Sequence, residues 1–154
     1  MVHYAKVAIR SKTFGVYVQL NGTGIKHYRE QPYKGTVQTI DHLQSWETFN
    51  LHYNDDGTVS FESSQFPNVY LSLDGNGVQA GVLISSGGGS VAAQYTALAW
   101  EKFKIRRQDN STGIVAIESA AFAGRYLRVD GGQNVVNVQG KVDVWEQFEL
   151  ITVG

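Results

Sequence analysis

The sequence predicts an all-β fold of about twelve short strands. Three observations support this class. Apolar and polar residues alternate with a period of two, for example over 49–53, as in a strand with one buried face. Asn-Gly and Asp-Gly pairs at 21–22, 74–75 and 130–131 interrupt these segments, and such pairs favour tight turns. Glycine is frequent (17 of 154 residues) and no convincing amphipathic helix is present.

The chain repeats one set of landmarks three times. Trp-Glu-x-Phe occurs at 46–49, 100–103 and 145–148. Upstream of each copy stand an apolar strand, a Ser, a Phe and then a strand that begins with Tyr. These upstream landmarks are Ser11, Phe14 and Tyr17; Ser63, Phe66 and Tyr70; and Ser119, Phe122 and Tyr126. Three ordered sets indicate an internal repeat rather than chance similarity.

The repeats span approximately 1–54, 55–110 and 111–154 and together form a single domain. A unit of about 50 residues with four short strands cannot bury its apolar face alone, so the three units must share one core. A closed six-stranded barrel capped by three hairpins satisfies the repeat count and leaves few free strand edges.

The third repeat carries a family likeness. Its segment 124–132, which contains Tyr126 and Asp130, leads to Trp145-Glu146-x-Phe148, and this order resembles the fascin-like β-trefoil repeat. All three repeats show the likeness, so it covers nearly the whole chain and implies a β-trefoil fold. Fascin-like trefoils include multi-domain actin-bundling proteins and modules of polysaccharide-active enzymes, and the wider trefoil class includes lectins and protease inhibitors.

Composition excludes several classes of function. The net charge of −1 gives no general polyanion-binding surface, so we expect no nucleic-acid partner. The chain has no cysteine, and its four histidines lack metal-ligand spacing, so we expect no metal and no cofactor. No apolar run approaches the length of a membrane span. The first residues contain no apolar signal-peptide core, which predicts a cytoplasmic protein.

The repeated tryptophans and glutamates are expected to belong to the scaffold. A residue present in every repeat is best explained by the packing that every repeat needs, which predicts core positions for Trp46, Trp100 and Trp145. The glutamates that follow them are expected to form structural hydrogen bonds or face solvent. Nothing in the sequence places two carboxylates across one substrate, so the protein is predicted not to be an enzyme.

Specificity is expected where the repeats differ, because loops carry function on a fixed scaffold. The first two repeats carry about ten extra residues between their Tyr and Trp landmarks. In the first repeat this insertion combines aromatic rings and donors, as a sugar site requires. The acidic turns of the other repeats could accept hydrogen bonds from sugar hydroxyls. The predicted ligand-binding residues are His27, Tyr28, Arg29 and Tyr33 in the loop, with Asp74, Asn76, Asp130 and Asn134 in the turns.

These observations predict a non-enzymatic carbohydrate-binding protein, either a lectin or a carbohydrate-binding module, with glycans or glycoproteins as partners. Three related pockets would give it multivalency. Two alternatives follow from the fascin-like resemblance and the trefoil class: an actin-binding cytoskeletal protein with F-actin as its partner, and a loop-based protease inhibitor.

Overall fold

Twelve β-strands and three short 3-10 turns make up the regular structure of the described part of the chain. The computed structural model describes residues 4–32, 34–109 and 112–153, and within these ranges no α-helix occurs. The strands are β1 Tyr4–Ser11, β2 Tyr17–Asn21, β3 Thr36–Ile40, β4 Phe49–Tyr53, β5 Val59–Ser63, β6 Val69–Asp74, β7 Ser90–Tyr95, β8 Phe103–Arg107, β9 Ile114–Ser119, β10 Tyr126–Asp130, β11 Val135–Gln139 and β12 Phe148–Thr152. The predicted strand number is therefore confirmed.

Six of the strands close into an antiparallel barrel. Strand β1 pairs with β4, β4 with β5, β5 with β8, β8 with β9, β9 with β12, and β12 returns to β1. The other six strands form the hairpins β2–β3, β6–β7 and β10–β11. Each repeat thus supplies two barrel strands and one hairpin, and the predicted β-trefoil architecture is confirmed.

The core is filled from all three repeats. Each barrel strand that follows a Trp-Glu motif begins with a fully buried phenylalanine. These rings, Phe49, Phe103 and Phe148, meet the buried Phe61 and the aliphatic side chains of the hairpin strands, including Leu20, Leu73 and Val129. The shared core explains why one repeat could not fold alone: its apolar side chains find their packing partners in the other two.

The Ser and Phe landmarks interlock neighbouring repeats. The buried hydroxyls of Ser11, Ser63 and Ser119 each accept a hydrogen bond from the backbone N–H of the Phe three residues later. Each such Phe lies over the glycine that follows the β2, β6 or β10 strand of the neighbouring repeat. A Cβ atom at that glycine would stand 2.7 to 2.9 Å from the ring Cγ, so the glycine is required. The pairs are Gly22 with Phe66, Gly75 with Phe122 and Gly131 with Phe14.

The described residues contain neither a membrane-spanning helix nor a cluster of metal ligands. Among the described residues, no helix has the length and apolar character needed to cross a membrane. Nor do three or more His, Asp or Glu side chains converge there as metal ligands would.

Candidate functional site

The Trp-Glu motifs form three equivalent 3-10 turns, Ser45–Glu47, Ala99–Glu101 and Val144–Glu146. Each tryptophan packs against the interlocking Phe of the next repeat, with ring centroids 5.6 Å apart for Trp46 and Phe66, 5.2 Å for Trp100 and Phe122, and 5.1 Å for Trp145 and Phe14. The prediction that the tryptophans belong to the core is wrong. They are half-buried, since each indole also lines a surface pocket.

All three glutamates have a structural role, and two of them, Glu47 and Glu146, also line the pocket of their repeat. Glu47, Glu101 and Glu146 are at most 2% exposed. One carboxylate oxygen, Oε1, accepts the backbone N–H three residues earlier, at Gln44, Leu98 and Asp143, with N···O distances of 2.7 to 2.8 Å. This confirms the predicted structural hydrogen bond. The second oxygen, Oε2, makes a different contact in each repeat, and these contacts distinguish the three pockets.

The repeat 1 pocket is lined by Gln19, Gln44, Ser45, Trp46 and Glu47 and has a volume of about 290 Å³. The Gln19 side-chain amide donates to Glu47 Oε2 at 2.8 Å. Gln38 in turn donates to the Gln19 carbonyl oxygen at 2.7 Å. Amide, hydroxyl and carboxylate groups therefore surround the indole, and none of the lining residues is cationic.

The repeat 2 pocket, of about 260 Å³, is lined by Ser72, Asp74, Ser90, Ala92, Gln94, Trp100 and, from the first repeat, Arg29. The Arg29 guanidinium carbon lies 3.2 Å from the centroid of the Trp100 ring. The Tyr28 hydroxyl donates to Glu101 Oε2 at 3.4 Å. Burial raises the pKa of Glu101, although hydrogen bonds from Ser72 and the Leu98 N–H and the charge of Arg29 oppose that shift.

The repeat 3 pocket, of about 190 Å³, takes its cation from its own hairpin. It is lined by Leu83, Ile84, Ser85, Arg128, Gln139, Asp143, Val144, Trp145 and Glu146. The Arg128 guanidinium carbon lies 4.8 Å from the Trp145 ring centroid, and its Nε is 4.0 Å from Glu146 Oε2. Burial raises the pKa of Glu146, and the Asp143 N–H and the Arg128 charge oppose that effect.

The residue two positions after each landmark Tyr determines which side chain lies above the indole of the pocket. Gln19, Ser72 and Arg128 occupy this position in the three hairpins. In the second repeat, where this residue is the small Ser72, the guanidinium above Trp100 comes from Arg29. In the third repeat Arg128 itself lies above Trp145. The same guanidinium–indole–carboxylate arrangement therefore arises twice, from two different places in the sequence.

The predicted loop residues divide between this site and the surface. Arg29 lines the repeat 2 pocket and Tyr28 touches its glutamate, whereas His27 is exposed. Tyr33 lies outside the described residues. The structure thus brings Arg29, from the insertion of the first repeat, to the pocket of the second.

The predicted turn residues mainly organise backbone. Asp74 lies in the repeat 2 pocket, but its Oδ1 accepts both the N–H and the side-chain amide of Asn76. Asp130 accepts the N–H groups of residues 132 and 133. Asn134 Oδ1 accepts the N–H and the hydroxyl of Thr39, so it joins the third repeat to the first. The hypothesis that these side chains bind ligand stays a prediction.

The sequence-based search missed Gln19, Arg128 and the three Trp-Glu pairs. Their recurrence indicated scaffold, and scaffold they are in part, since a wide indole and a two-oxygen carboxylate can serve packing and a pocket together. A signal was available at the position two residues after each Tyr, where Gln, Ser and Arg differ inside an otherwise shared strand.

Comparison with known proteins supports the fold and leaves the family open. No protein-family profile and no curated protein matches the sequence. Solved structures do match over nearly the whole chain. SeviL bound to asialo-GM1 saccharide has a TM-score of 0.69 at 11% identity, covering 99% of this chain and 100% of that one. The Rhizoctonia solani agglutinin has a TM-score of 0.71 at 14% identity, covering 99% and 98%. The BEL β-trefoil has a TM-score of 0.65 at 14% identity, covering 97% and 93%.

One of these neighbours is a β-trefoil by name, and the likeness agrees with the strand pairing, so the chain is an all-β protein with a β-trefoil fold. At such low identity the likeness concerns the fold alone. The narrower fascin-like resemblance stays a prediction.

Proposed function

We propose that the protein is a non-enzymatic carbohydrate-binding protein whose sites are the three Trp-Glu pockets. One observation carries the proposal: each repeat lines a surface cavity with a half-buried indole and a carboxylate, which is Glu47 in repeat 1, Asp74 in repeat 2 and Glu146 in repeat 3. Sugars require this pair of groups. The ring accepts the apolar C–H face of a pyranose, and the carboxylate accepts hydrogen bonds from its hydroxyls.

The carboxylate is well prepared for this task. Its Oε1 is held by a backbone N–H, so the position of Oε2 is fixed before a ligand arrives. A preorganised acceptor loses little conformational freedom on binding. A hydrogen bond to a charged group contributes about 1.5–3 kcal/mol, and this is the largest single polar contribution available in such a pocket.

The pockets are small, so each site alone would bind weakly. Cavities of 190 to 290 Å³ lie at or below the lower end of the range for ligand sites and suit one sugar residue. A ligand that places its terminal sugars in more than one pocket would bind with higher avidity, although no single site binds more tightly. The solved neighbours support this reading, since one was determined with a saccharide and another is an agglutinin.

Neither alternative function gains an observation from the structure. The actin-binding reading was based on the fascin-like resemblance, and the inhibitor reading on loops in general. An inhibitory loop would project freely, whereas each of the two long loops is hydrogen-bonded to the following repeat. Arg29 N–H donates to Gln94 in the next repeat at 2.8 Å, and Ile84 N–H donates to Gln139 at 2.9 Å.

A glycan array beside an F-actin co-sedimentation assay tests the proposal. The strongest array glycan is then titrated into the parent and into a variant with Glu47, Glu101 and Glu146 all replaced by Gln. Glutamine keeps an oxygen for the backbone N–H and removes the charge. We expect affinity to fall about tenfold or more, the equivalent of about 1.4 kcal/mol or more.

Glu149→Gln is the matched control, because Glu149 pairs with Arg10 and lines none of the described pockets. It should bind like the parent. A parent that binds no glycan, or a triple variant that folds and binds unchanged, would reject the proposed function. A parent that pellets with F-actin and binds no glycan would favour the cytoskeletal alternative.

A further inference from the structure

The two long hairpin loops each reach the pocket of the following repeat. The β2–β3 loop, 22–35, is anchored where the Arg29 N–H donates to Gln94 Oε1. The β6–β7 loop, 75–89, is anchored where Ile84 N–H donates to Gln139 Oε1 and Gln139 donates back to the Ile84 carbonyl. Gln94 and Gln139 are equivalent, since they pair with the landmark residues Tyr70 and Tyr126. The equivalent position in the first repeat is Ile40, which has no side-chain amide to hold a loop.

The third hairpin has no long loop to send onward. Its connection, 131–134, is a tight turn, and it meets the first repeat through the Asn134–Thr39 hydrogen bonds and the Gly131–Phe14 contact rather than at a pocket. The repeat 1 pocket is therefore the one among the three that no inserted loop lines. Chain length at one turn thus breaks the three-fold equivalence of the pockets.

Arg29 occupies the place that a sugar would take on Trp100. Its guanidinium carbon is 3.2 Å from the ring centroid, which is closer than ordinary contact between carbon atoms. A pyranose cannot stack on the same face while Arg29 stays there. The loop adopts a left-handed backbone at Arg29, with φ of 53°, and the hydrogen bond to Gln94 holds this conformation in place.

Arg29 can leave its pocket more easily than Arg128. Arg128 lies within strand β10, is 3% exposed, and donates to Asn137 and to the Ser85 carbonyl. Arg29 lies on a loop and is half-buried. Its side chain is held by the faces of Trp100 and Tyr28 and by the charge of Glu101.

The repeat 1 pocket has no such internal cation. Gln19 stands where Arg128 stands in the third repeat, and the lining of the pocket contains one carboxylate and no positive charge. A carboxylate or sulfate on a sugar would meet Glu47 without a compensating cation, which is unfavourable for two like charges. Neutral hexoses and acetylated hexosamines have no such penalty.

We propose that the repeat 1 pocket, around Trp46 and Glu47, is the open site and takes a neutral saccharide, whereas in the repeat 2 pocket Arg29 covers the Trp100 ring as a built-in competitor. The inference rests on the proposed function and divides it between unequal sites. Removal of the Arg29 side chain uncovers a second site of the same chemical kind. In the repeat 3 pocket Arg128 stays over the Trp145 ring, because it is part of the pocket's own hairpin.

The three tryptophans of the chain make the sites separately observable, since each pocket contains one indole. Indole N–H resonances of ¹⁵N-labelled protein, assigned with Trp→Phe variants, are followed during titration. The probes are the methyl glycosides of galactose, glucose, mannose, fucose, N-acetylglucosamine and N-acetylgalactosamine, with methyl α-sialoside as the charged comparison. In the parent we expect a neutral glycoside to shift the Trp46 resonance alone, and the sialoside to bind about tenfold more weakly or worse.

In Arg29→Ala we expect the Trp100 resonance to respond as well, with a dissociation constant within about tenfold of the Trp46 site. Lys26→Ala is the matched control, because it removes an exposed cation from the same loop and should leave Trp100 unresponsive. Gln94→Ala provides a second route, since it releases the loop backbone without touching the indole. This variant keeps the test decisive if Arg29→Ala fails to fold.

The outcomes separate the two proposals. If no glycoside shifts any indole in the parent or in either loop variant, the proposed function fails for these pockets. If the parent responds at Trp100 or Trp145 instead of Trp46, or prefers the sialoside, the assignment of the open neutral site is wrong. If Trp46 responds but Trp100 stays silent in both loop variants, Arg29 is not a competitor.

Discussion

Replacing Gly75 by alanine tests the interlock that holds each pocket in place. Gly75 follows β6 and lies under the ring of Phe122, which packs in turn against Trp100 at the floor of the repeat 2 pocket. A Cβ atom at Gly75 would stand 2.8 Å from Phe122 Cγ and 2.9 Å from its Cβ. The glycine has no left-handed backbone conformation, so the expected effect is purely steric.

The magnitude follows from the distances. Carbon atoms pack best at about 3.5–4.0 Å, so the ring must retreat by roughly 0.7 Å or more. Overpacking of this kind typically costs about 1–3 kcal/mol, and we expect about 2 kcal/mol for Gly75→Ala. For a chain of this length, that loss corresponds to a fall in Tm of about 4–8 °C.

Urea unfolding of four proteins measures the effect: the parent, Gly75→Ala, Phe122→Leu and the double variant. The smaller Leu side chain makes room for the new methyl group, so the double variant should be more stable than the sum of the single losses predicts, by about 1 kcal/mol. Gly132→Ala is the control, because its nearest heavy atom would be 3.5 Å away and its φ is not left-handed. The reasoning is refuted if Gly75→Ala costs no more than Gly132→Ala, or if the two single losses simply add.

Two further predictions concern the pockets and the joint between repeats. Burial raises the pKa of Glu146 when the protein folds, so its contribution to the unfolding free energy declines as pH rises from its ordinary value of 4.5 through the raised one. Urea unfolding across this window should show Glu146→Gln gaining stability relative to the parent as pH rises. A variant that loses stability relative to the parent, or keeps the same difference, as pH rises would contradict the assignment. Asn134→Ala should cost about 2 kcal/mol, because it loses both hydrogen bonds from Thr39 and places alanine at a φ of 57°, whereas Asn134→Gly should cost about 1 kcal/mol. Equal losses in the two Asn134 variants, measured by thermal unfolding, would contradict the backbone part of this account.

The location of the loops could be predicted, but their destination could not. The unequal spacing from Tyr to Trp placed the insertions in the first two hairpins, and the structure has them at 22–35 and 75–89. That Arg29 reaches Trp100 depends on the rotation between repeats, which brings the hairpin tip of one repeat beside the turn of the next. No local pattern in the sequence specifies the angle of rotation between neighbouring repeats.

Trp46 and Glu47 show a second limit of prediction from sequence, because each belongs both to the scaffold and to a pocket. Recurrence correctly indicated that these residues belong to the scaffold, and both the ring contact with Phe66 and the hydrogen bond to the Gln44 N–H are structural. Recurrence could not show that the indole and the carboxylate also line a pocket. Exposure of a side chain is a property of its neighbours in space, and those neighbours come from other repeats.

The amino-acid sequence by itself determined the all-β class, the twelve strands and the three-fold repeat. Alternation, turn residues and recurrent landmarks are local patterns, and each corresponds directly to the backbone geometry of a strand, a turn or a repeated unit. Only the tertiary structure decided which pockets contain a cation. Arg29 and Arg128 reach equivalent places above Trp100 and Trp145 from unrelated positions in the chain, while Gln19 leaves Trp46 without a cation. The physical reason is that a pocket is made where repeats meet, and its contents depend on how far each loop extends and which neighbour it touches.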